Sequence, residues 1–351
     1  MAKKEGIDLN ELLDKELAQY NFGDMLDLAE NITDMSVSCT PTGFPQLDVI
    51  LHQVLKGLPH GRDIEIFSKE PEVGKTSLGL QILQHWQSLG KRTLIIDVER
   101  TITVEFLNQL GIVTKTENPN VPAVRISRPT DAFSAEQVLD LVKDAGKVFD
   151  LIVVDSIGAM DIKANLEKES DEANKIGAMA LLLSNFMKKN VAKRATVIWI
   201  NQTRQIVGGY NPTGNIRYNT MGGRAMLFFG SIRLELSIVE KMKDANDNIY
   251  ALKTKIYTFK NKVSPPYKQA MMTYVLDEGF SVCYDYFDLA LKLGIIIKKG
   301  GWFQFGDVRV QGEIAFYKKM KVTPDLFDAI KNAVGEELNN AGAAAVPDNT
   351  D

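Results

Sequence analysis

Cysteine is scarce in this chain: two occur among 351 residues, Cys39 and Cys283. Two thiols so far apart in sequence, without metal-ligand spacing, exclude a disulfide framework and a cysteine zinc site, and suit a reduced cytosolic protein. Long apolar runs are missing too. No stretch approaches the roughly 20 residues of a membrane-crossing helix, and the opening MAKKEGIDLNELLDKEL has no signal-peptide core. A cytoplasmic location is the expectation. The chain also lacks a dominant charge. At a net −4 it has no global basic field, so any nucleic-acid binding must come from local Lys and Arg clusters. Internal repeats are absent.

What remains is an ordinary globular composition, long enough for one large or two modest domains. Leu9, Leu12, Leu13 and Leu17 sit at helical spacing on a charged segment, predicting a helix over 8–20 that folds onto its own domain or docks on a neighbouring subunit. From Arg62 a pattern of short β-rich runs alternating with helical ones begins. RDIEIF (62–67), RTLIID (92–97), AVRIS (123–127), LIVVD (151–155) and TVIWI (196–200) are the strands. Such alternation predicts a mainly parallel sheet covered on both faces, with ligands at the carboxyl ends of its strands. SIRLELS (231–237), YALKTKIYTF (250–259) and AMMTYVL (270–276) have no helices between them and read as an antiparallel extension. From about Glu278, GGWFQFGDVRVQG marks a small lobe with a hairpin, whose Trp302, Phe303 and Phe305 read as core rather than as a stacking platform. The end, NNAGAAAVPDNTD, has the composition of a disordered tail.

Chemistry-bearing residues fall at the strand ends. Gly74-Lys75-Thr76 follows the first strand and opens a helix, the context in which a P-loop cradles phosphates on backbone N–H groups. Lys75 would reach the β- and γ-phosphates and Thr76 would bind Mg²⁺. Position 69, where G-x-x-x-x-G-K-[ST] has its first glycine, is a lysine, so the motif alone is weak. LIVVD ends in Asp155, the form of a Walker B acid that holds Mg²⁺; a helix cap is the plainer alternative. RTLIID ends in Asp97 with Glu99 just beyond, and Glu99 is placed to orient a water for attack on a γ-phosphate, with capping again the alternative. TVIWI runs into the long Gly-rich segment 201–223, which carries Arg204, Arg217, Tyr210 and Tyr218, is followed by Arg224, and holds no acid. Basic and aromatic side chains on such a loop suit single-stranded nucleic acid. A second segment, 163–177, is mixed in charge and reads as a solvated loop or helix start.

With these residues in hand the sequence resembles the RecA family of homologous-recombination ATPases over roughly 40–337. The stretches that carry the likeness are GLPHGRDIEIF, FDLIVVDSIGAM, INQTR, GGRAMLFFGSIRLEL and FKNKVSPPYKQA. The resemblance implies an α/β fold: a RecA-like P-loop ATPase core (41–277) with a mainly parallel central sheet, an N-terminal helical oligomerisation segment (1–40), a small C-terminal α/β lobe (278–337) and a disordered tail (338–351). It implies that Glu72, Val73, Gly74, Lys75, Thr76, Ser77, Phe106, Asp155 and Gln202 contact ATP, with Mg²⁺ on Thr76 and Asp155. Glu99, Lys75 and Gln202 would be catalytic. Phe106 would pack on adenine, and Lys260 and Lys262 would reach a neighbour's ATP. DNA would meet one loop at 166–177, including Gly177, and another at 203–223, including Arg204, Gln205, Val207, Gly208, Arg217, Gly222 and Gly223, with Arg224 beside it.

The implied activity is that of a DNA-dependent ATPase forming helical filaments on single-stranded DNA and pairing it with homologous duplex DNA, aided by single-strand-binding and mediator proteins. Two other readings stay open: a DNA-coating filament with little turnover, motivated by the missing glycine and by Glu70 and Glu72, and a ring helicase or regulatory ATPase. On the leading reading, Lys75→Ala abolishes the site and Lys69→Gly is tolerated.

Overall fold

The computed structural model describes residues 37–52, 57–115, 118, 120–130, 133–163, 172–189, 194–205, 218–244 and 246–344. The expected helix over 8–20 lies outside them, as do most of 163–177 and the centre of the 203–223 loop. From Cys39 onward the chain forms one unit.

Its centre is a ten-stranded sheet. Five strands alternate with helices as the sequence predicts: β1 (Asp63–Ser68), β2 (Thr93–Asp97), β3 (Arg125–Ser127), β4 (Leu151–Asp155) and β5 (Thr196–Gln205). All pair in parallel, in the order β1-β5-β4-β2-β3. Period-2 alternation sends Ile64, Ile66, Ile95, Val153, Ile198 and Ile200 to one face. There they pack against α2 (Lys75–Ser88) through Leu78, Ile82, Leu83 and Trp86. Leu94, Ile96, Ile152, Val154 and Trp199 face the other way, onto α4 (Ala135–Ala145) and α5 (Glu172–Lys189). The short α3 (Val104–Gln109) joins the first layer, as does α1 (Pro45–Leu51).

Beyond the helices the sheet continues through β6 (Tyr218–Thr220), β7 (Ile232–Lys243), β8 (Ile249–Asn261), β9 (Gln269–Val275) and β10 (Gly279–Phe280). The expected antiparallel extension needs one correction. β7 lies parallel to β1, and the antiparallel wing starts only at the β7–β8 pair. The reason is topological: the chain crosses from β5 through β6 and α6 (Ala225–Phe229) before it rejoins the sheet beside the first strand. β6 meanwhile pairs antiparallel with the far end of β5.

A second core belongs to the C-terminal lobe. Tyr284 and Phe287 of α7 (Val282–Lys292) pack with Phe316, Tyr317 and Met320 of α8 (Glu313–Val322) and with Ile330 and Val334 of α9 (Pro324–Ala344). A three-stranded antiparallel sheet of β11 (Ile297–Lys299), β12 (Trp302–Phe305) and β13 (Val308–Gln311) stands where the sequence predicted a hairpin. Phe303 is buried in this core, but Trp302 is exposed, with the Arg309 guanidinium 4.6 Å from its ring centroid. Successive strand residues face opposite sides, so adjacent aromatics cannot both be core. The expected tail from 338 is also corrected, because α9 continues to Ala344 and Leu338 packs on the lobe core. Alanine-rich sequence is the best helix former available once packing has nucleated a helix. Lobe and core are joined by Asp285, fully buried, which accepts from Gln46 N at 3.0 Å and Gln46 Nε2 at 2.8 Å.

Candidate functional site

β1 ends at Ser68, directly beside Gln202 of β5, and the next residues turn into the start of α2. Gly74 adopts φ +88, and a Cβ there would lie 2.9 Å from Phe280 Cε2 and 3.0 Å from Tyr274 Cδ2. Glycine is required twice over, by conformation and by space. The absent first glycine is replaced by other contacts. Glu72 takes a left-handed φ of +56, the Ser68 hydroxyl donates to the Glu70 carbonyl, and Lys69 Nζ pairs with Glu235 Oε1 on β7 at 3.0 Å. Lys75 Nζ donates to Ser68 Oγ at 2.8 Å. Burial holds the Lys75 ammonium below the usual lysine range, against the opposing pull of Asp155 and Glu99.

Opposite the loop, Thr76 Oγ1 donates to Asp155 Oδ2 at 2.6 Å. Burial pushes the Asp155 carboxyl up to about 6, Glu99 and Asp97 push the same way, and the Thr76 hydroxyl and Lys75 oppose them. A buried carboxylate with other acids beside it is relieved by a divalent cation. A threonine hydroxyl facing one carboxylate is the sparse oxygen set that suits Mg²⁺, which keeps several waters and takes substrate phosphates as further ligands. The described residues contain no cluster of three or more His, Cys, Asp or Glu side chains able to hold a metal.

The two acids after β2 divide their roles. Asp97 is buried and accepts from Thr101 N, Ile102 N and Arg128 Nε, each at 3.2 Å, so it braces the loop after β2, while the helix that follows is capped by Thr103, whose side chain accepts from Phe106 N. Glu99 faces the cavity, where its Oε1 accepts from Gln202 Nε2 at 3.1 Å and from the Ser156 hydroxyl. Lys75, Thr76, Glu99, Asp155 and Gln202 line one cavity of about 310 Å³. A wider cleft of about 950 Å³ flanks the loop from Glu70 to Ser77 and is walled by Ile238, Leu252, Tyr274 and Leu276. Ser77 Oγ lies 3.2 Å from the Tyr274 hydroxyl, while Val73 is buried in the core.

Other expected ATP residues are not brought to these cavities. Phe106 packs against the core below α3 and lines neither. Lys260 Nζ donates to the carbonyls of Leu227 and Phe228, at 2.6 and 2.9 Å, at the end of α6 in its own chain. Burial, then Lys262 and Arg233, lowers its pKa to about 8. Lys262 is exposed.

Of the expected DNA contacts, Val207, Gly208 and Arg217 lie outside the described residues. Arg204 is exposed and Gln205 is in β5; that strand outruns the predicted TVIWI and pairs Arg204 with Asn219 and Gln205 with Tyr218 in a ribbon at the loop's base. Gly177 is exposed within α5, which begins at Glu172, so the first loop as expected over 166–177 ends earlier. Gly222 and Gly223 have φ of +76 and +64, and a Cβ on either would come within 2.7 Å of Leu183 or Ala180 of α5. Arg224 is exposed, its guanidinium 5.9 Å from the Phe228 ring centroid.

Below the site lies a network that sequence reasoning missed. Asn201 Nδ2 donates to Glu65 Oε1 at 2.7 Å and to the Met221 carbonyl at 2.9 Å. Glu65 is wholly buried and also takes the Arg233 guanidinium, which sits 4.7 Å from the Phe67 ring centroid. Burial raises the Glu65 pKa, with Arg233 and Asn201 pulling it back. The only sequence signal was a Glu inside an apolar strand and an Arg in another. Ser156, adjacent to the Walker B acid, was within reach of the motif.

A parallel sheet with covered faces, a GKT turn at the end of its first strand and an acid opposite the threonine define a P-loop ATPase. Comparison with known proteins narrows this class. The RecA N-terminal domain matches residues 8–281 and the RecA C-terminal domain residues 285–339. Protein RecA of Solidesulfovibrio magneticus is 31% identical over 356 residues, covering 97% of this chain and 95% of that protein. Those of Saccharopolyspora erythraea (31% over 325 residues, 91% and 89%) and Paracoccus denitrificans (31% over 343 residues, 95% and 92%) are equally similar. The chain belongs to the RecA family, the ATP-dependent recombinases of DNA recombination and repair.

Proposed function

We propose that this chain assembles as a helical filament on single-stranded DNA and hydrolyses ATP with Lys75, Thr76, Asp155, Glu99 and Gln202 as its cis machinery. The observation that carries this reading is the convergence of these five side chains, drawn from four strand ends, on one cavity. Bound Mg²⁺ would be held by Thr76 and Asp155 and would supply charge to the phosphates. Lys75 holds the β- and γ-phosphates, and Glu99 takes the proton of the attacking water.

Gln202 couples the site to the loop. Its amide donates to Glu99 in the structure, and a γ-phosphate is a stronger, charged acceptor for the same N–H. Transfer of that bond frees Glu99 to act as base and shifts β5, whose outer end forms the loop base with β6. Lys260 and Lys262 act on the ATP of the adjacent protomer, which requires Lys260 to leave its own carbonyls. The domain division supported by these roles is an oligomerisation segment at 1–40, the ATPase core at 41–277 and the small lobe from 278, with single-strand-binding and mediator proteins as further partners.

ATP hydrolysis measured with and without single-stranded DNA tests the reading, together with electron microscopy of the protein on DNA with a non-hydrolysable ATP analogue. DNA-stimulated turnover and open filaments are expected; closed rings would sink it.

A further inference from the structure

The residue that breaks the P-loop motif lines the same cavity as Glu99, Gln202 and Lys75. Lys69 Nζ stands 3.0 Å from Glu235 Oε1, with the lysine side chain 55% exposed and the glutamate 17%. An ion pair this open to water adds little stability. It is therefore readily exchanged for a stronger partner, and a lysine on a flexible four-carbon stem can make the exchange without moving the backbone. The cavity supplies a motive: Glu70, Glu72, Glu99 and Asp155 line it, and among the described residues the lining cations are Lys69 and Lys75. A terminal phosphate adds further negative charge at that place.

We propose that Lys69 is a second cis lysine for the terminal phosphate of ATP. With a triphosphate in the loop its ammonium leaves Glu235 for a γ-phosphate oxygen and offsets Glu70 and Glu72. With a diphosphate the Lys69–Glu235 pair stays closed. The residue thus makes the loop discriminate between nucleotide states, and it reports the difference to β7 by releasing Glu235, which is in register with Phe67 of β1 and Tyr257 of β8. The inference rests on the ATP-site reading above. Its rival is a static tether, in which Lys69 merely ties the loop to β7 in place of the lost glycine turn.

The two differ in what the partners' removal does. A tether is lost equally from either side. On the proposal, Lys69→Ala removes the phosphate contact whereas Glu235→Gln frees the lysine to make it. Calorimetric titration with Mg²⁺ and either ATPγS or ADP reads this directly. Lys69→Ala should weaken ATPγS about tenfold, the loss of one charge-assisted hydrogen bond, and ADP less than about twofold. Glu235→Gln should bind ATPγS at least as tightly as the parent, with ADP unchanged. Equal losses for both nucleotides in Lys69→Ala, no loss in either, or a weakening of ATPγS by Glu235→Gln overturns the proposal. Lys75→Ala is the control for the underlying site. Where it loses both nucleotides the ATP site stands whatever Lys69 does, and where it binds them like the parent the site reading falls and the proposal with it.

Discussion

Gln202 donates its side-chain amide to Glu99 Oε1 at 3.1 Å, so the expected sensor of the γ-phosphate and the expected base are hydrogen-bonded to each other. Glu99→Gln keeps the shape and removes the proton acceptor. Turnover should fall on the order of 10²–10⁴-fold while ATP and single-stranded DNA still bind. Phosphate release alongside a filter-binding assay checks this, and DNA-stimulated turnover abolished by the change also rules out the DNA-coating reading.

Lys75 and Lys69 should part company. Lys75→Ala removes the group on the β- and γ-phosphates and abolishes ATP binding or turnover. Lys69→Gly restores the motif glycine at an exposed position and should keep turnover at saturating ATP, with ATP affinity reduced. Steady-state kinetics separates them: loss of kcat in the second and not in the first contradicts the assignment of this loop.

The Lys260 pKa, lowered to about 8, places its charge within reach of ordinary buffers. The sign follows from the shift. Lys260 is an ammonium below about 8 and loses its proton as pH rises through that value, and only the ammonium can grip a neighbour's phosphates. ATP-dependent filament assembly, followed by light scattering, should be fully present below pH 8 and weaken as pH rises past it. Lys260→Arg, which stays charged, should remove that dependence.

The Glu65–Arg233 pair should matter for stability where Lys69–Glu235 does not. Arg233→Ala strands a buried carboxylate and should cost about 3–5 kcal/mol in a urea melt. Lys69→Ala, breaking an exposed pair, should cost no more than about 1 kcal/mol. Arg233→Ala should also loosen Asn201 and hence the loop base, visible as weaker single-stranded DNA binding at temperatures where the variant is folded.

Much of this was legible in the sequence because it is local. Strand periodicity in RDIEIF, LIVVD and TVIWI, the GKT turn and the acid after LIVVD are each set by a few adjacent residues, and the structure places them as read. Trp302 and the 338–344 segment were misread because local composition does not say which face a strand turns inward or what a helix end packs on. The division of labour between Asp97 and Glu99 was open for the same reason: both stand at the end of one strand, and only Arg128 and the backbone of Thr101 and Ile102, folded back onto Asp97, make it the brace of the loop.

By itself the sequence determined the family, the parallel sheet and the phosphate-binding turn, since backbone propensity, side-chain alternation and motif spacing act over short range. The tertiary structure alone decided which charges meet. Lys69 finds Glu235, Glu65 finds Arg233, and Glu99 finds both Gln202 and Ser156 because strand order brings together residues far apart in the chain. Pair energies and pKa values depend on that distance and burial, which no local stretch of sequence encodes. The missing glycine at 69 is the plainest case: the sequence showed the glycine lost and the lysine in its place, and the fold showed the carboxylate that pairs with it.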